Sequence, residues 1–472
     1  MISLAAVAGR RVLAGATVPE GECRLRFGLL SDSHVSKDPE THAAIRSVFK
    51  FLASRKVDAV CHAGDIVEVG DFDELKVVTD AWQEAFPGGK NVAGGKVTPF
   101  FVFGNHDYHD GSKYRKQILT PEQQQNYILW NKDRAWKMLT GEEKHPGEVF
   151  ARTIKGYTFF GAHWKHEGEI AAFLKEHPLS AAKPAFHVRH PHPLGTCYGA
   201  WASGVEKGCE ELLKHPNVWV MSGHSHLNVG NDRAIWQGGF VSMGSGSSYG
   251  TAIGGFGGEY DNTSCKKPEP GQVWHSPMVK GPAWQTSVIS VYDDYIYVER
   301  FDLKYDEKGE NLGEPWKVEF PFRHDAKHPY LIADAASAPG FGEGVKISFR
   351  EERGLRRPEK VKEDQLIVSV SEGALSDGDH SRPGFYRFEL LDSEGRAILT
   401  RSVVQNKWSN NERRAQKEKV ECHFGSEEVR VKSEEVGGKS EEVRARVTPM
   451  NASGKAGAAI LSGAYKLISK AK

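Results

Sequence analysis

Leu25-Arg26-Phe27-Gly28-Leu29-Leu30-Ser31-Asp32-Ser33-His34 sets the pattern of the first half of the chain: a short β-rich apolar run that stops abruptly in polar, ligand-type residues. Four further segments repeat it. Val57 to Ala63 runs into Gly64-Asp65, Pro99 to Phe103 into Gly104-Asn105-His106-Asp107, Ala185 to Val188 into His190, and Val218 to Met221 into Gly223-His224-Ser225-His226. Between the first two runs, Asp38-Pro39 predicts a helix start, with Asp as cap and Pro in the first turn. Ile45, Val48, Phe49 and Leu52 then recur at helical spacing, which buries one face against a sheet. Val205, Cys209, Leu212 and Leu213 predict a second such helix before the fifth run. Strands alternating with helices predict an α/β domain whose strands end on a common edge, where ligands gather.

The rest of the composition sets bounds. The 472 residues hold 62 Lys plus Arg against 62 Asp plus Glu, a formal net charge of zero, whereas a nucleic-acid-binding protein is expected to carry a basic excess. No apolar run approaches the roughly 18–20 residues of a membrane-spanning helix. The six cysteines show no CxxC spacing, so a thiolate zinc site is not expected. One disulfide among Cys197, Cys209 and Cys265 stays open. At the start, apolar Ile2 to Ala8 precedes Arg10-Arg11, the wrong order for an ordinary secretory leader. Residues 1–22 are therefore read as a leader remnant of twin-arginine type or a plain N-terminal extension, with export to the periplasm or cell surface expected and the cytoplasm as the alternative.

Residues 23–303 read as one α/β domain. Within it the polar, Gln- and Lys-rich stretch 108–150 is expected to form a helical cap near the strand ends, and Gly244 to Gly281 long loops. A hairpin from Trp284 to Leu303, turning at Asp293-Asp294, closes the domain, and 304–332 form a linker. Residues 333–472 then predict an all-β sandwich from Val345 to Phe349, Gln365 to Val370, Tyr386 to Leu391, Val420 to Phe424 and Val443 to Val447. Arg444 to Gly454 resembles the last strand of a fibronectin type III module. Ser-Glu-Glu-Val recurs at Ser426, Ser433 and Ser440 and is read as a charged hairpin turning at Gly437-Gly438.

Seven oxygen and nitrogen donors, Asp32, His34, Asp65, Asn105, His190, His224 and His226, suit two divalent ions such as Mn, Fe or Zn. One carboxylate must bridge for such a pair to sit roughly 3.5–4 Å apart. The five blocks, D-x-H, GD, GNHD, a lone His and GHxH, resemble the calcineurin-like metallophosphoesterase family, with the match running from about Arg24 to Leu303. The resemblance implies a four-layer αββα sandwich with two mixed sheets. It also implies that Asp32, His34, Asp65 and His226 hold one metal and Asp65, Asn105, His190 and His224 the other, with Asp65 as the bridge.

One departure concerns the lone histidine, since the chain reads His187-Val188-Arg189-His190-Pro191-His192-Pro193. His190 directly ends the strand and is preferred, His187 lies mid-strand, and His192 sits between two prolines. By the same resemblance a hydroxide shared by the two metals attacks a phosphodiester in line, His106 protonates the leaving alkoxide, and Asp107 orients His106. Within the family the chain is most similar to the branch containing the bacterial cyclic-nucleotide phosphodiesterases. The alternatives are a phosphomonoesterase or nucleotidase, and a non-catalytic surface-binding protein whose C-terminal domain meets a surface partner. His62, His109, His163 and His166 are read as supporting or surface histidines. Tyr108, Trp130 and Trp164 are read either as groups that stack on the base or sugar of a small-molecule phosphate ester or as aromatic packing of the cap.

Overall fold

The structure is a computed structural model and describes residues 20–109, 119–197, 204–230, 234–253, 257–258, 265, 273–274, 279–304, 312, 315–324, 338–342, 344–356, 362–371, 385–404, 419–435, 442–450 and 456–467. The expected leader residues 1–19, part of the expected cap at 110–118, part of the expected linker at 325–332 and the Gly437-Gly438 turn lie outside them.

The five apolar runs are strands: β1 (Leu25–Leu30), β2 (Ala59–Ala63), β3 (Thr98–Val102), β6 (Ala185–Arg189) and β7 (Val218–Ser222). Two more, β4 (Val149–Ile154) and β5 (Tyr157–Ala162), precede β6, and β8 (Ile235–Gln237) and β9 (Val241–Gly244) follow β7. The hairpin is β14 (Gln285–Val291) and β15 (Tyr295–Asp302), after the short pairs β10 (Gly250–Ile253) with β13 (Val279–Pro282) and β11 (Gly257–Gly258) with β12 (Val273–Trp274). The long loops expected from Gly244 to Gly281 therefore carry strands in their described parts. A final strand, β16 (Trp316–Glu319), falls in the expected linker and pairs with β15. Trp316 and Val318 alternate inward and are buried, so the apolar core draws this stretch onto the sheet edge.

These strands make two mixed six-stranded sheets, ordered β16-β15-β14-β1-β2-β3 and β4-β5-β6-β7-β9-β8. Strands β1, β2 and β3 run parallel in one, and β5, β6, β7 and β9 in the other. The sheets face each other through aromatic contacts: Phe27 meets Phe159 at 5.2 Å and Phe186 at 4.9 Å between ring centroids, and Phe100 stacks on Phe150 at 4.9 Å. The helix Pro39–Ser54 is capped by Asp38, whose side chain accepts from Glu40 N–H, and it buries Ile45, Val48, Phe49 and Leu52 as its spacing predicts. Leu52 lies so close that a Cβ at Gly28 of β1 would fall 2.6 Å from its Cδ1.

Two helical expectations change, and one helix is added. The helix before β7 is a single turn, Cys209–Leu212, because Gly208 at φ 82 starts it and Val205 instead bridges to Pro193. In the expected cap, the helix Lys132–Thr140 turns Ala135, Trp136 and Leu139 into the main core, so it buttresses the sheet. A helix at Phe72–Ala85, capped by Asp71 accepting from Glu74 N–H, was not anticipated. All six cysteines are free thiols, so the disulfide left open among Cys197, Cys209 and Cys265 is not formed.

The C-terminal strands form their own core. β17 (Ile347–Arg356), β18 (Lys362–Val370) and β21 (Val420–Gly425) make one sheet. β19 (Phe385–Leu391), β20 (Ala397–Val404), β22 (Glu442–Met450) and β23 (Ile460–Leu461) make another, with β24 (Tyr465–Lys466) also on β22. Leu366, Val368, Phe388, Leu390, Phe424 and Val447 are buried in that core. The Ser-Glu-Glu-Val stretch, expected as a hairpin, is instead the helix Ser426–Glu435, because Ser426, Val429 and Ser433 fall on one face and Val429 packs into the core. Strands β23 and β24 also follow the segment expected to be last. No helix among the described residues is long and apolar enough to cross a membrane.

Candidate metal centre

The C-terminal ends of β1, β2, β3, β6 and β7 converge, as parallel strands in facing sheets allow. Backbone conformation there is unusual: Asp32 (φ 49), His34 (φ 40), Asp65 (φ 53), His224 (φ 68) and His226 (φ 53) all occupy the left-handed region. An L-residue there gives up roughly 1–2 kcal/mol, so five of the seven candidate ligands are held in strained conformations by their surroundings. Glycines make the close approach possible. A Cβ at Gly104 would fall 2.2 Å from Asp65 Oδ1, and one at Gly223 2.2 Å from Ser31 Oγ and 2.4 Å from Asp32 Oδ2.

His190 Nδ1–H donates to the Ala63 carbonyl at 2.8 Å, which fixes the ring and leaves Nε2 as an acceptor in the neutral tautomer. That Nε2 faces Asn105 Oδ1 at 3.1 Å and Asp65 Oδ2 at 3.2 Å. The other half repeats the arrangement. His34 Nδ1–H donates to Glu68 Oε2 at 2.7 Å and His226 Nδ1–H to the Gly250 carbonyl at 3.2 Å. Their Nε2 atoms then lie 3.0 Å apart, with His226 Nε2 3.1 Å from Asp32 Oδ1. Such sets of electron-rich atoms repel unless a proton or cation stands among them, so these residues fit a pair of divalent ions. Asp32, His34 and His226 form one group of potential ligand atoms within 4.8 Å of one another, and Asp65, His190 and His224 a second.

The electrostatics agree. Asp32 and Asp65 are buried, which alone would raise their pKa values, yet the charges and hydrogen bonds of the surrounding histidines, led by His226 and His190 respectively, hold both well below the usual carboxylate range. Burial alone would lower His190, but Asp65 pushes it up to about 9. Burial and the neighbouring His190 push His224 down to about 4.

All seven expected ligands thus come together. His187, stacked on Phe160 at 4.3 Å, and His192, bonded to Ser222 and Ser225, are buried elsewhere in the wall. His106 stands beside His34, ring centroids 4.5 Å apart, with its Nδ1–H donated to the Glu68 carbonyl at 2.9 Å. Asp107 does not orient it. Its carboxylate is turned inward and accepts from Val67 N–H at 3.0 Å and Gly104 N–H at 2.7 Å, bracing the two loops. Burial and the charge of Asp65 raise Asp107 to about 7.

The carboxylate beside the His106 ring is instead that of Glu68, 3.5 Å from His106 Nδ1, and it also holds His34. Despite partial burial, its bonds to His106 and His34 lower Glu68 to about 2. Sequence reasoning missed it, although an acid three residues after Asp65 was visible. Of the supporting histidines, His62 Nε2 bonds Ser33 Oγ at 2.8 Å and His163 Nδ1 accepts from Phe103 N–H at 2.8 Å. Tyr108 packs on Phe103 and donates to Glu148, while Trp130 is half exposed on the expected cap.

Residues 25–228, a span that contains all seven candidate ligands, match the model of the family described as calcineurin-like phosphoesterase. No curated protein matches the sequence. Among solved structures, the chain is similar to a dimetal phosphatase from Danio rerio (12% identity, 63% of this chain and 100% of that chain, TM-score 0.35). It is also similar to a purple acid phosphatase from yellow lupin (11% identity, 62% and 53%, TM-score 0.38) and to GAP50 of Plasmodium, the anchor in the inner membrane complex (15% identity, 63% and 89%, TM-score 0.37).

Proposed function

We propose that the protein is a dinuclear metal-dependent phosphoesterase that hydrolyses a phosphodiester. The family match at residues 25–228 supports the coarser reading, a metal-dependent phosphoric ester hydrolase. The observation that carries it to this chain is the approach of His190 Nε2 to Asn105 Oδ1 at 3.1 Å and to Asp65 Oδ2 at 3.2 Å, mirrored by that of His226 Nε2 to His34 Nε2 at 3.0 Å and to Asp32 Oδ1 at 3.1 Å. Asp32, His34, Asp65 and His226 would hold one ion and Asp65, Asn105, His190 and His224 the other, with Asp65 shared.

Two such ions, when bound, supply Lewis acidity toward phosphoryl oxygens and an activated water. The chain supplies the remainder. In the reaction a water oxygen forms a new P–O bond and gives up a proton to solvent, the P–O bond to the leaving alcohol breaks, and the leaving oxygen takes a proton. His106 is the proposed donor. Its Nδ1 is committed to Glu68, which leaves Nε2 as the atom able to meet that oxygen. In the metal-free protein burial would lower its pKa, but Glu68 and Asp65 raise it to about 9, a direction that favours the protonated form a proton donor needs.

The test is turnover of bis-p-nitrophenyl phosphate against p-nitrophenyl phosphate by metal-reconstituted protein, with Asp65→Ala as control. Faster diester turnover, lost in Asp65→Ala, is the expected result. Preference for the monoester would replace the diesterase reading with a phosphomonoesterase, and inactivity on both with two metals bound would overturn the enzymatic reading.

A further inference from the structure

Two aromatic side chains stand at opposite ends of the candidate centre. Tyr249 lies beside His34, ring centroids 6.0 Å apart, and is 43% exposed although its neighbours Ser247 and Ser248 are fully buried. Its loop is fixed to the ligands: Ser247 Oγ donates to the Asp32 carbonyl at 3.0 Å and accepts from Tyr249 and Gly250 N–H, while the Gly250 carbonyl accepts from His226. At the other end Trp164 lies 5.7 Å from His190 and 5.2 Å from His224, ring centroid to ring centroid, half-buried. Its backbone N–H is held by the Phe103 carbonyl at 2.9 Å, two residues before Asn105. Along the centre the order is therefore Tyr249, His34, Asp65, His190, Trp164. Asp65 Oδ2 lies 3.7 Å from His34 Nε2 and 3.2 Å from His190 Nε2.

A phosphate monoester has one organic arm, whereas a diester has two, leaving the phosphorus in different directions. The proposed proton donor His106 stands on the His34 side, 4.5 Å away, so the leaving arm belongs at that end. We infer that Tyr249 and Trp164 are specificity walls for the two arms of a phosphodiester, Tyr249 for the leaving alcohol and Trp164 for the group retained on phosphorus. This rests on the phosphodiesterase reading above and deepens it. Aromatic faces on loops tied to the candidate ligands favour arms that are themselves flat and unsaturated, an aryl group or a nucleobase-bearing sugar, over short alkyl chains.

The test compares kcat/KM on bis-p-nitrophenyl phosphate, aromatic on both arms, with methyl p-nitrophenyl phosphate, aromatic only on the leaving arm. Trp164→Ala is expected to lower kcat/KM on the first about threefold to tenfold more than on the second, the range of one aromatic contact. Tyr249→Ala is expected to lower both by similar factors, with Tyr249→Phe and Trp164→Phe restoring most of the loss and two metals retained in every variant. Equal losses on both esters in Trp164→Ala, or failure of the Phe variants to restore turnover while metals are retained, would overturn the assignment of the walls. Inactive wild-type protein with two metals bound would instead overturn the functional reading on which it rests.

Discussion

Glu68 Oε2 lies 2.7 Å from His34 Nδ1 and 3.5 Å from His106 Nδ1, so one carboxylate orients a candidate metal ligand and sets its charge beside the proposed proton donor. A carboxylate behind a ligating histidine fixes its tautomer and raises its basicity, and loss of such a partner commonly costs 10–100-fold in metal affinity or activity. Glu68→Gln keeps the size but weakens the hydrogen bond to His34 and removes the negative charge beside His106, whose own hydrogen bond to the Glu68 backbone carbonyl is unaffected. The expected result is a drop of about 10-fold to 100-fold in kcat, with weaker retention of the metal held by His34, read by metal content after dialysis. Wild-type kcat and metal content in this variant would mean that the geometry at His34 is set elsewhere.

His106→Ala separates proton donation from positioning. General acid catalysis contributes typically 10²–10⁴-fold and matters most when the leaving oxygen is basic. Turnover of a diester with an alkyl leaving group is expected to fall by about that factor, while p-nitrophenol release from bis-p-nitrophenyl phosphate falls far less. Equal losses on the two esters would remove the acid role.

The choice among the histidines of His187 to His192 has a direct readout. His190→Ala is expected to lose one of two metal equivalents, since its Nε2 faces Asp65 and Asn105. His192→Ala is expected to keep both. It should unfold more easily, by about 1–3 kcal/mol, because Ser222 Oγ and Ser225 Oγ would lose a buried partner. Metal analysis and urea titration read the two effects separately, and metal loss in His192→Ala would reverse the assignment.

Much of the fold and nearly all of the site were legible because the relevant signals are local. Leu25 to Leu30 followed by Asp32 and His34, and Val218 to Met221 followed by His224 and His226, are each a strand and its candidate ligands within ten residues, so neither needs tertiary information. Other features depend on the fold. Trp316 and Val318 read as part of a linker until β15 is there to pair with them. The helix Ser426–Glu435 has one apolar residue on its buried face, Val429, too weak a stripe to betray helical period. Asp107 next to His106 looked like its partner, yet adjacent residues point apart, and Glu68 reaches His106 only because β2 and β3 are neighbours.

Gly104 tests how tightly the centre is packed. A Cβ there would fall 2.2 Å from Asp65 Oδ1 and 2.4 Å from Asp65 N, contacts that force the β2 or β3 loop to move. Gly104→Ala is therefore expected to cost metal occupancy and activity together, far more than Gly89→Ala, which meets nothing within 4 Å although its φ of 70 adds local strain. Metal content of the two variants after identical reconstitution decides it. Full occupancy in Gly104→Ala would show that the loops yield without disturbing Asp65.

Glu74 gives the metal-free protein a pH dependence of stability. Its carboxylate accepts from Glu68 N–H at 3.1 Å and Val69 N–H at 2.9 Å, behind the loop that carries Glu68. Burial raises its pKa from 4.5 to about 7, against the lowering effect of the Val69 hydrogen bond. Between those two values the folded protein keeps a proton that the unfolded chain has released, so stability falls as pH rises through this window. The contribution is fully present below about pH 4.5 and fully lost above about pH 7. Gln accepts the same hydrogen bonds without titrating, so Glu74→Gln is expected to be the more stable of the pair at pH 8 relative to their difference at pH 5. Urea midpoints of wild-type and variant across this range measure the difference directly, and a difference that stays constant with pH would show that Glu74 is ionised throughout.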